Sequence, residues 1–466
     1  MFHKHSASDF AQAARNSAFR AAFRGGPQQI LFYEWLGLLN NAAMTPSARL
    51  QAAIEILDRL QSTSQPADRL LRDWARGNRF AGSKDRAAIA ERIFALLRLR
   101  NSLSWRMQDQ SPRAIVIASL LAEGKSQEDL ETLFDGSRYG PAALTEDERR
   151  HIANPPPDSA PLWVQGEFPA FLQPELERAF GKNLLAETKA LASRAPVDLR
   201  VNSLKASRAD VLRQLQSEGY AAEPTVYSPL GIRIPSGEGL SSLSRHALFE
   251  AGAFEFQDEA AQIASLLAQA RPGEHVLDLA AGAGGKSLAL AAAMENRGEI
   301  VACDIDGKRL FALEPRAARA GVSIIRTHVL RGEPPQGPFD LVFVDAPCSG
   351  SGVWRRQPEL KTRLTENRLA ELASLQDRLL NQAATCVAPG GRLVYATCSI
   401  LPRENEDRLA AFLATHPQFR LANAAALWHE NGGEIDLPTP DDFFHASPYV
   451  TGTDGFFTAI LVLEGT

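Results

Sequence analysis

The sequence predicts an α/β protein in which a C-terminal parallel-sheet domain follows an all-α segment and a small α+β segment. Three observations carry this. From Phe254 onward, apolar strand-like runs alternate with helical patterns, the order that βαβ units produce. Before residue 150, apolar positions recur at three- and four-residue spacing. Between the two lies Asn154-Pro155-Pro156-Pro157, where consecutive prolines forbid helix and mark an extended connector.

A chain of 466 residues exceeds one ordinary core, and 45% hydrophobic with 23% charged residues is a globular composition. No uninterrupted run of about 18 apolar residues occurs and the N-terminus lacks a basic-then-apolar pattern, so a cytoplasmic protein without membrane partners is expected. The four cysteines, Cys303, Cys348, Cys386 and Cys398, show no metal-type spacing; free thiols and no metal site are expected. A formal net charge of -5 argues against a surface that binds polyanions everywhere. Between Asp68 and Arg113, however, 11 Lys/Arg stand against 5 acids, a local surplus able to neutralise phosphates.

In chain order, residues 1–43 mix histidines, a Gly25-Gly26 pair and an isolated apolar patch, Ile30-Leu31-Phe32-Tyr33. They are expected to be a disordered extension upstream of a natural start at Met44. Residues 44–153 form the helical domain, where Ile89, Ile93, Phe94 and Leu97 share one helix face and Ser83 is the expected N-cap. Trp74, Trp105 and Trp163 are expected in cores, with stacking on bases as the alternative role. Over residues 162–250, strand-like Asp198-Leu199-Arg200-Val201-Asn202, a helix from Arg208 to Glu218, and strand-like Gly231-Ile232-Arg233-Ile234 predict a small α+β domain. Residues 251–466 form the third domain, with strands expected at 275–279, 299–303, 323–327, 341–344 and 392–395.

The chemistry lies where those last strands end. After the first comes Asp278-Leu279-Ala280-Ala281-Gly282-Ala283-Gly284-Gly285-Lys286, a glycine-rich turn that lets a ligand approach the backbone as a helix begins. About 20 residues on, the second strand ends in Cys303-Asp304, an acid placed for ribose hydroxyls. The turn and the acid together predict a nucleoside-containing cofactor. The fourth strand ends in Asp345-Ala346-Pro347-Cys348-Ser349-Gly350-Ser351-Gly352, and the fifth in Thr397-Cys398-Ser399. Two thiols and a carboxylate at neighbouring strand ends form a pocket in which an acid can hydrogen-bond a base and a thiolate can act as nucleophile.

These motifs, with Gln257-Asp258-Glu259-Ala260-Ala261-Gln262, Arg355-Arg356-Gln357-Pro358-Glu359, Glu404-Asn405-Glu406 and Asp454-Gly455-Phe456-Phe457, occur in the order found in the RsmB/NSUN family of RNA cytosine-5 methyltransferases. The chain resembles the RsmB-type members. The resemblance implies a Rossmann-like class I methyltransferase domain, an N-terminal NusB-like RNA-binding domain and an RRM-like middle domain. It implies S-adenosylmethionine as cofactor and RNA, chiefly ribosomal RNA of the small subunit, as partner; a monomer is expected.

Residue by residue, it makes Cys398 the nucleophile toward cytosine C6 and Cys348 the thiol that assists loss of the C5 proton and release. Asp345 becomes the acid near N3 and the cofactor. Ala280, Ala281, Gly282, Ala283, Gly284, Gly285 and Lys286 become the cofactor loop, Asp304 the ribose acid and Arg309 a basic neighbour. Two departures stand out. The family loop reads Cys-Ala-Ala-Pro-Gly-Gly-Lys, whereas Ala280 and Ala283 replace its cysteine and proline. The Gly-Asp pair after the third strand is replaced by Thr327-His328-Val329-Leu330-Arg331, leaving His328 or a backbone group to meet the adenine. A transfer-RNA cytosine-5 methyltransferase and a non-catalytic RNA-binding or ribosome-assembly factor are the alternatives.

Overall fold

A computed structural model describes residues 44–157, 159–235, 240–431, 433–439 and 442–465. The extension expected over 1–43 lies outside the described residues. The chain divides into two compact units. One holds the described residues up to Ile93 together with Ser111–Ala153; the other holds Phe94–Gln110 and the chain from Asn154 on.

The first unit is helical. Its helix Pro46–Ser62 opens on Thr45, whose hydroxyl accepts from the Ala48 N–H, and Pro46 occupies the first turn, where no intrahelical N–H is lost. Ser111 and Pro112 repeat the device for Pro112–Ala122. In that second helix Ile115, Val116, Ile117, Ala118 and Leu120 are all buried, so it is apolar on every side and forms the centre of the unit. It packs on Ala53, Ile56 and Leu57 of the first helix; each fully buried Ile or Leu contributes about 1.5–3 kcal/mol.

The expected cap at Ser83 is corrected: the helix Ser83–Arg98 already includes Ser83. Asp85 accepts from the Gly82 N–H at 3.2 Å, the acidic half of a capping box set one residue earlier. Part of the local cationic surplus is neutralised inside the unit, through Arg92–Glu123 at 2.8 Å and Arg113–Glu148 at 2.6 Å.

In the second unit, the helices Leu162–Gln165, Gln173–Phe180 and Leu184–Leu191 bring Leu176, Leu184 and Leu191 into one core with Trp354, Ile400 and Leu401. This core supports the chain immediately after Ser399. Next comes a four-stranded antiparallel sheet of β1 (Val197–Val201), β2 (Glu223–Pro224), β3 (Gly231–Ile234) and β4 (Phe254–Phe256), in the order β2-β3-β1-β4. Leu199 lies opposite Ile232, and the helix Arg208–Ser217 covers them with Val211 and Leu215.

The large sheet has eight strands. They are β5 (His275–Asp278), β6 (Glu299–Asp304), β7 (Ile325–Val329), β8 (Phe339–Asp345), β9 (Val387–Thr397), β10 (Phe419–Leu421), β11 (Phe444–Ala446) and β12 (Phe456–Leu463). Their order is β10-β12-β9-β8-β5-β6-β7, with β11 also paired to β12. The five strands β5 to β9 are parallel, and β12 runs antiparallel to β9. This is the Rossmann-like methyltransferase arrangement.

All five strand predictions fall on this sheet, although the third is corrected: it was expected at 323–327, and the chain pairs from Ile325, with Ile300 opposite. Helices pack on both faces, so β5 sends Val276 into one core and Leu277 into the other. Asp278 stands opposite Ala302 and Phe343, and Asp345 opposite Ala396, so the carboxyl ends of four parallel strands share one edge. Among the described residues no helix is long and apolar enough to cross a membrane.

Candidate active site

The turn after β5 holds Ala280 to Gly284, and the following helix starts at Gly285. Gly282 and Gly284 have φ of +57° and +79°, and a Cβ on Gly284 would stand 2.0 Å from Leu313, so two glycines are required on geometric grounds. The Ala281 N–H donates to the Cys303 carbonyl at 2.8 Å, fastening the loop to the end of β6. Asp304 accepts from the backbone N–H groups of Gly282 and Asp306, both at 2.8 Å. Two of its four lone-pair directions are thus used, and two stay available. Arg309 lies over this turn, 3.9 Å from Asp304, with its side chain largely exposed.

Beneath the loop Asp278 is fully buried. One of its oxygens accepts from the Ser287 hydroxyl at 2.6 Å, and the other has no hydrogen-bond partner among the described residues. Burial, joined by the charges of Asp345 and Asp304 and opposed by Ser287 and Lys286, pushes its carboxyl up to about 7. Cys303 is also fully buried, and burial pushes its thiol up to about 12; it is a core residue. His328 is exposed within β7 opposite Cys303, and Val329 and Leu330 follow it at the strand end.

Lys286 belongs to the loop in sequence but reaches away from it. Its ammonium lies 2.5 Å from the Asp345 carboxylate and 5.2 Å from the Phe456 ring centre. Burial pulls that ammonium down, but the charge and hydrogen bond of Asp345, together with Cys398 and Asp278, outweigh it and leave its pKa raised.

The two thiols, 50 residues apart in sequence, are 3.3 Å apart in space. Cys348 is held well above the ordinary thiol range, first by its hydrogen bond with Cys398, then by burial, then by the charges of Cys398 and Glu404. Gly352 joins three segments here: its N–H donates to the Cys398 carbonyl at 3.0 Å and its carbonyl accepts from Gly455 at 2.9 Å.

Several functional neighbours carry no role in the sequence reading. Glu404 binds Ser349 and Ser399, and Asn405 accepts from Thr397 at 2.6 Å and donates to the Ser399 carbonyl at 3.0 Å. The motif Glu404-Asn405-Glu406 is the only signal that pointed to them. Trp74 is a core residue, whereas Trp105 and Trp163 are half-buried and line a cavity of about 550 Å³ with Arg100 and Pro157.

A family model for the 16S rRNA methyltransferase RsmB/F matches residues 265–462, and a model for the RsmF/B-like ferredoxin-like domain matches residues 168–238. The ribosomal RNA small subunit methyltransferase B of Yersinia pseudotuberculosis is 30% identical over 458 residues, covering 91% of this chain and 100% of that protein. The chain belongs to the RsmB/NSUN family.

The probable ribosomal RNA small subunit methyltransferase B of Bacillus subtilis is 32% identical over 272 residues, a match spanning 57% of this chain and 60% of that protein. Among solved structures, PH0851 aligns with a TM-score of 0.71 and 26% identity over 90% of this chain and 99% of its own. NSun6 from Pyrococcus horikoshii with SFG shares the fold, with a TM-score of 0.57 and 22% identity over 64% of this chain and 99% of its own. In this RsmB/NSUN member the glycine turn, Asp304, Arg309, Asp345 and both thiols all fall inside residues 265–462, the stretch that the RsmB/F model matches.

Proposed function

We propose that this protein transfers a methyl group from S-adenosylmethionine to C5 of a cytosine in small-subunit ribosomal RNA, with Cys398 as the covalent nucleophile. The observation that carries this is the contact of Cys348 and Cys398 beside the Lys286–Asp345 pair, at the ends of adjacent parallel strands. The names of the methyltransferase B relatives support the choice of ribosomal RNA.

The residues present fit the cofactor. Gly285 faces open space, with nothing within 4 Å of where a Cβ would stand, Asp304 keeps lone pairs for ribose hydroxyls, and Asp278 holds an unpartnered buried oxygen that suits a cationic ligand. When bound, S-adenosylmethionine supplies an electrophilic methyl group. Ala280, Ala281, Gly282, Ala283, Gly284 and Arg309 complete the cradle, while Lys286 holds Asp345.

Cytosine C5 is a weak nucleophile until C6 is attacked. The Cys398 thiolate forms a bond to C6, and the C5–C6 π electrons move toward C5 as Asp345 polarises the ring near N3. C5 then takes the methyl group. Loss of the C5 proton, assisted by Cys348, restores the double bond and expels the Cys398 sulfur. Residues 44–153 act as a NusB-like RNA-docking domain, and the enzyme works as a monomer.

Methyl-labelled S-adenosylmethionine and ribosomal RNA test the reaction, with bisulfite sequencing to locate the product base. Absence of 5-methylcytosine, or full transfer by Cys398→Ala, overturns it. Calorimetric titration with S-adenosylmethionine separates the enzyme from a non-catalytic assembly factor, which would bind none.

A further inference from the structure

Glu404 lies between the two thiol loops and belongs to neither. Its side chain is fully buried, in the turn Pro402–Glu404. One carboxylate oxygen accepts from the Ser349 N–H at 2.8 Å and from the Gln376 amide at 3.1 Å. The other accepts from the hydroxyls of Ser349 and Ser399, both at 2.5 Å. Ser349 directly follows Cys348, and Ser399 directly follows Cys398. One carboxylate therefore fastens both loops.

A tether alone would not need a charge. Burying a carboxylate without a cation against it is costly, and an uncharged amide could bridge the same loops, its oxygen accepting from the Ser349 N–H and Gln376 while its NH2 donates to the two serine hydroxyls, which can turn to accept. What the charge adds is a local field. The groups acting electrostatically on Cys348 are Cys398 and Glu404, with the Tyr395 hydroxyl donating to the Glu404 carbonyl at 2.6 Å. The cation of the site, Lys286, couples instead to Cys398 and Asp345. An anion on one side and a cation on the other make the two thiols unequal.

We propose that Glu404 is the positioning residue that divides the labour between the thiols, holding their sulfurs in contact and keeping the proton on Cys348, so that Cys398 is the thiol left to attack. The proposal rests on the methyl-transfer function above. It gives the order of events a cause. Once Cys398 is bonded to cytosine C6 it no longer shares a hydrogen bond with Cys348, and the leading restraint on the Cys348 proton is gone. Cys348 can then ionise, and the charge of Glu404 makes it a stronger base toward the C5 proton.

The test needs neither RNA nor a methyl donor. In a Cys398→Ser background, iodoacetamide alkylation of Cys348 is followed by mass spectrometry from about pH 6 to pH 10. Adding Glu404→Gln is expected to raise the rate near pH 8 by about tenfold, the effect of moving a thiol by one pKa unit. An unchanged profile in a folded variant overturns the proposal, since a residue that merely fills space would alter stability and leave the profile alone. Should Glu404→Gln fail to fold, Glu404→Asp carries the test: its carboxylate is withdrawn by one methylene, so a gain of about twofold is expected and none overturns the proposal. In the Cys398 enzyme, Glu404→Gln is expected to lower kcat about tenfold or more with KM for RNA unchanged. If the unaltered protein transfers no methyl group, the methyl-transfer function fails, while the alkylation result still decides the role of Glu404.

Discussion

The sulfur atoms of Cys348 and Cys398 are in contact at 3.3 Å because β8 and β9 pair in parallel with Asp345 opposite Ala396, so that each strand releases its thiol loop at the same level of the sheet. Neither loop could deliver its sulfur there alone. For the proposed reaction, this contact puts the nucleophile and the proton-handling group on the same base.

Cys398→Ala is therefore expected to lower methyl transfer by about a thousandfold or more, with no covalent RNA adduct. Cys348→Ala should do the opposite to the adduct. With C6 attacked but release impaired, a slow-migrating protein–RNA band accumulates on a denaturing gel. Free protein alone in the Cys348→Ala lane would refute this division of roles.

Both thiol loops and most of the parallel strands were legible because β5, β6, β8 and β9 each carry a short apolar run ended by a polar or glycine-rich turn, whereas β7, with Arg326, Thr327 and His328 exposed, was placed two residues early. β12 was not. Its run, Phe456–Leu463, is apolar at nearly every position because both faces are covered, so it carries no alternation that would mark a strand or its direction. Glu404 was hidden for another reason. An acid in a short turn is ordinarily solvated, and only the tertiary approach of Ser349, Gln376 and Ser399 makes burial tolerable. The Ser83 cap was displaced by Asp85, whose reach back to Gly82 is invisible without the helix geometry.

Asp278 makes folding pH-dependent in a direction set by its raised carboxyl. The folded protein holds this proton more tightly than the unfolded chain. The stability it contributes is fully present below the ordinary 3.8 and is lost as pH rises through about 7. Full linkage over that interval corresponds to about 4 kcal/mol. For ligand-free protein, Asp278→Asn should shrink the fall in Tm between about pH 4 and pH 8 relative to the parent by several degrees. Parallel Tm curves for the two proteins would contradict it.

Gly352 admits no side chain. A Cβ there would stand 2.0 Å from the Gly455 carbonyl oxygen, which is backbone and cannot rotate away. Gly352→Ala must separate the chain at Gly455 from the loop that holds Cys398, a strain of about 1–3 kcal/mol or more. Denaturant midpoints should fall accordingly. Methyl transfer should fall further than stability explains, because the Cys398 carbonyl loses the Gly352 N–H at 3.0 Å.

Arg356 joins strands that the sequence keeps far apart. Its guanidinium donates to Asp454, just before β12, to Asp258, just after β4, at 2.9 Å, and to the Pro196 carbonyl, just before β1, at 2.8 Å. Arg355 reinforces the cluster at 2.5 Å from Asp454 and 3.5 Å from Asp258. Both carboxylates are buried to within 10% exposure, so neither can recover hydration when a cation is removed. Arg356→Ala is expected to cost about 3–5 kcal/mol in denaturant unfolding, the range for breaking a buried pair by removing one partner. Arg356→Lys should restore only part of this, because an ammonium cannot address three acceptors with the fixed fork of a guanidinium. A loss below about 1 kcal/mol for Arg356→Ala would mean that Arg355 alone satisfies both acids.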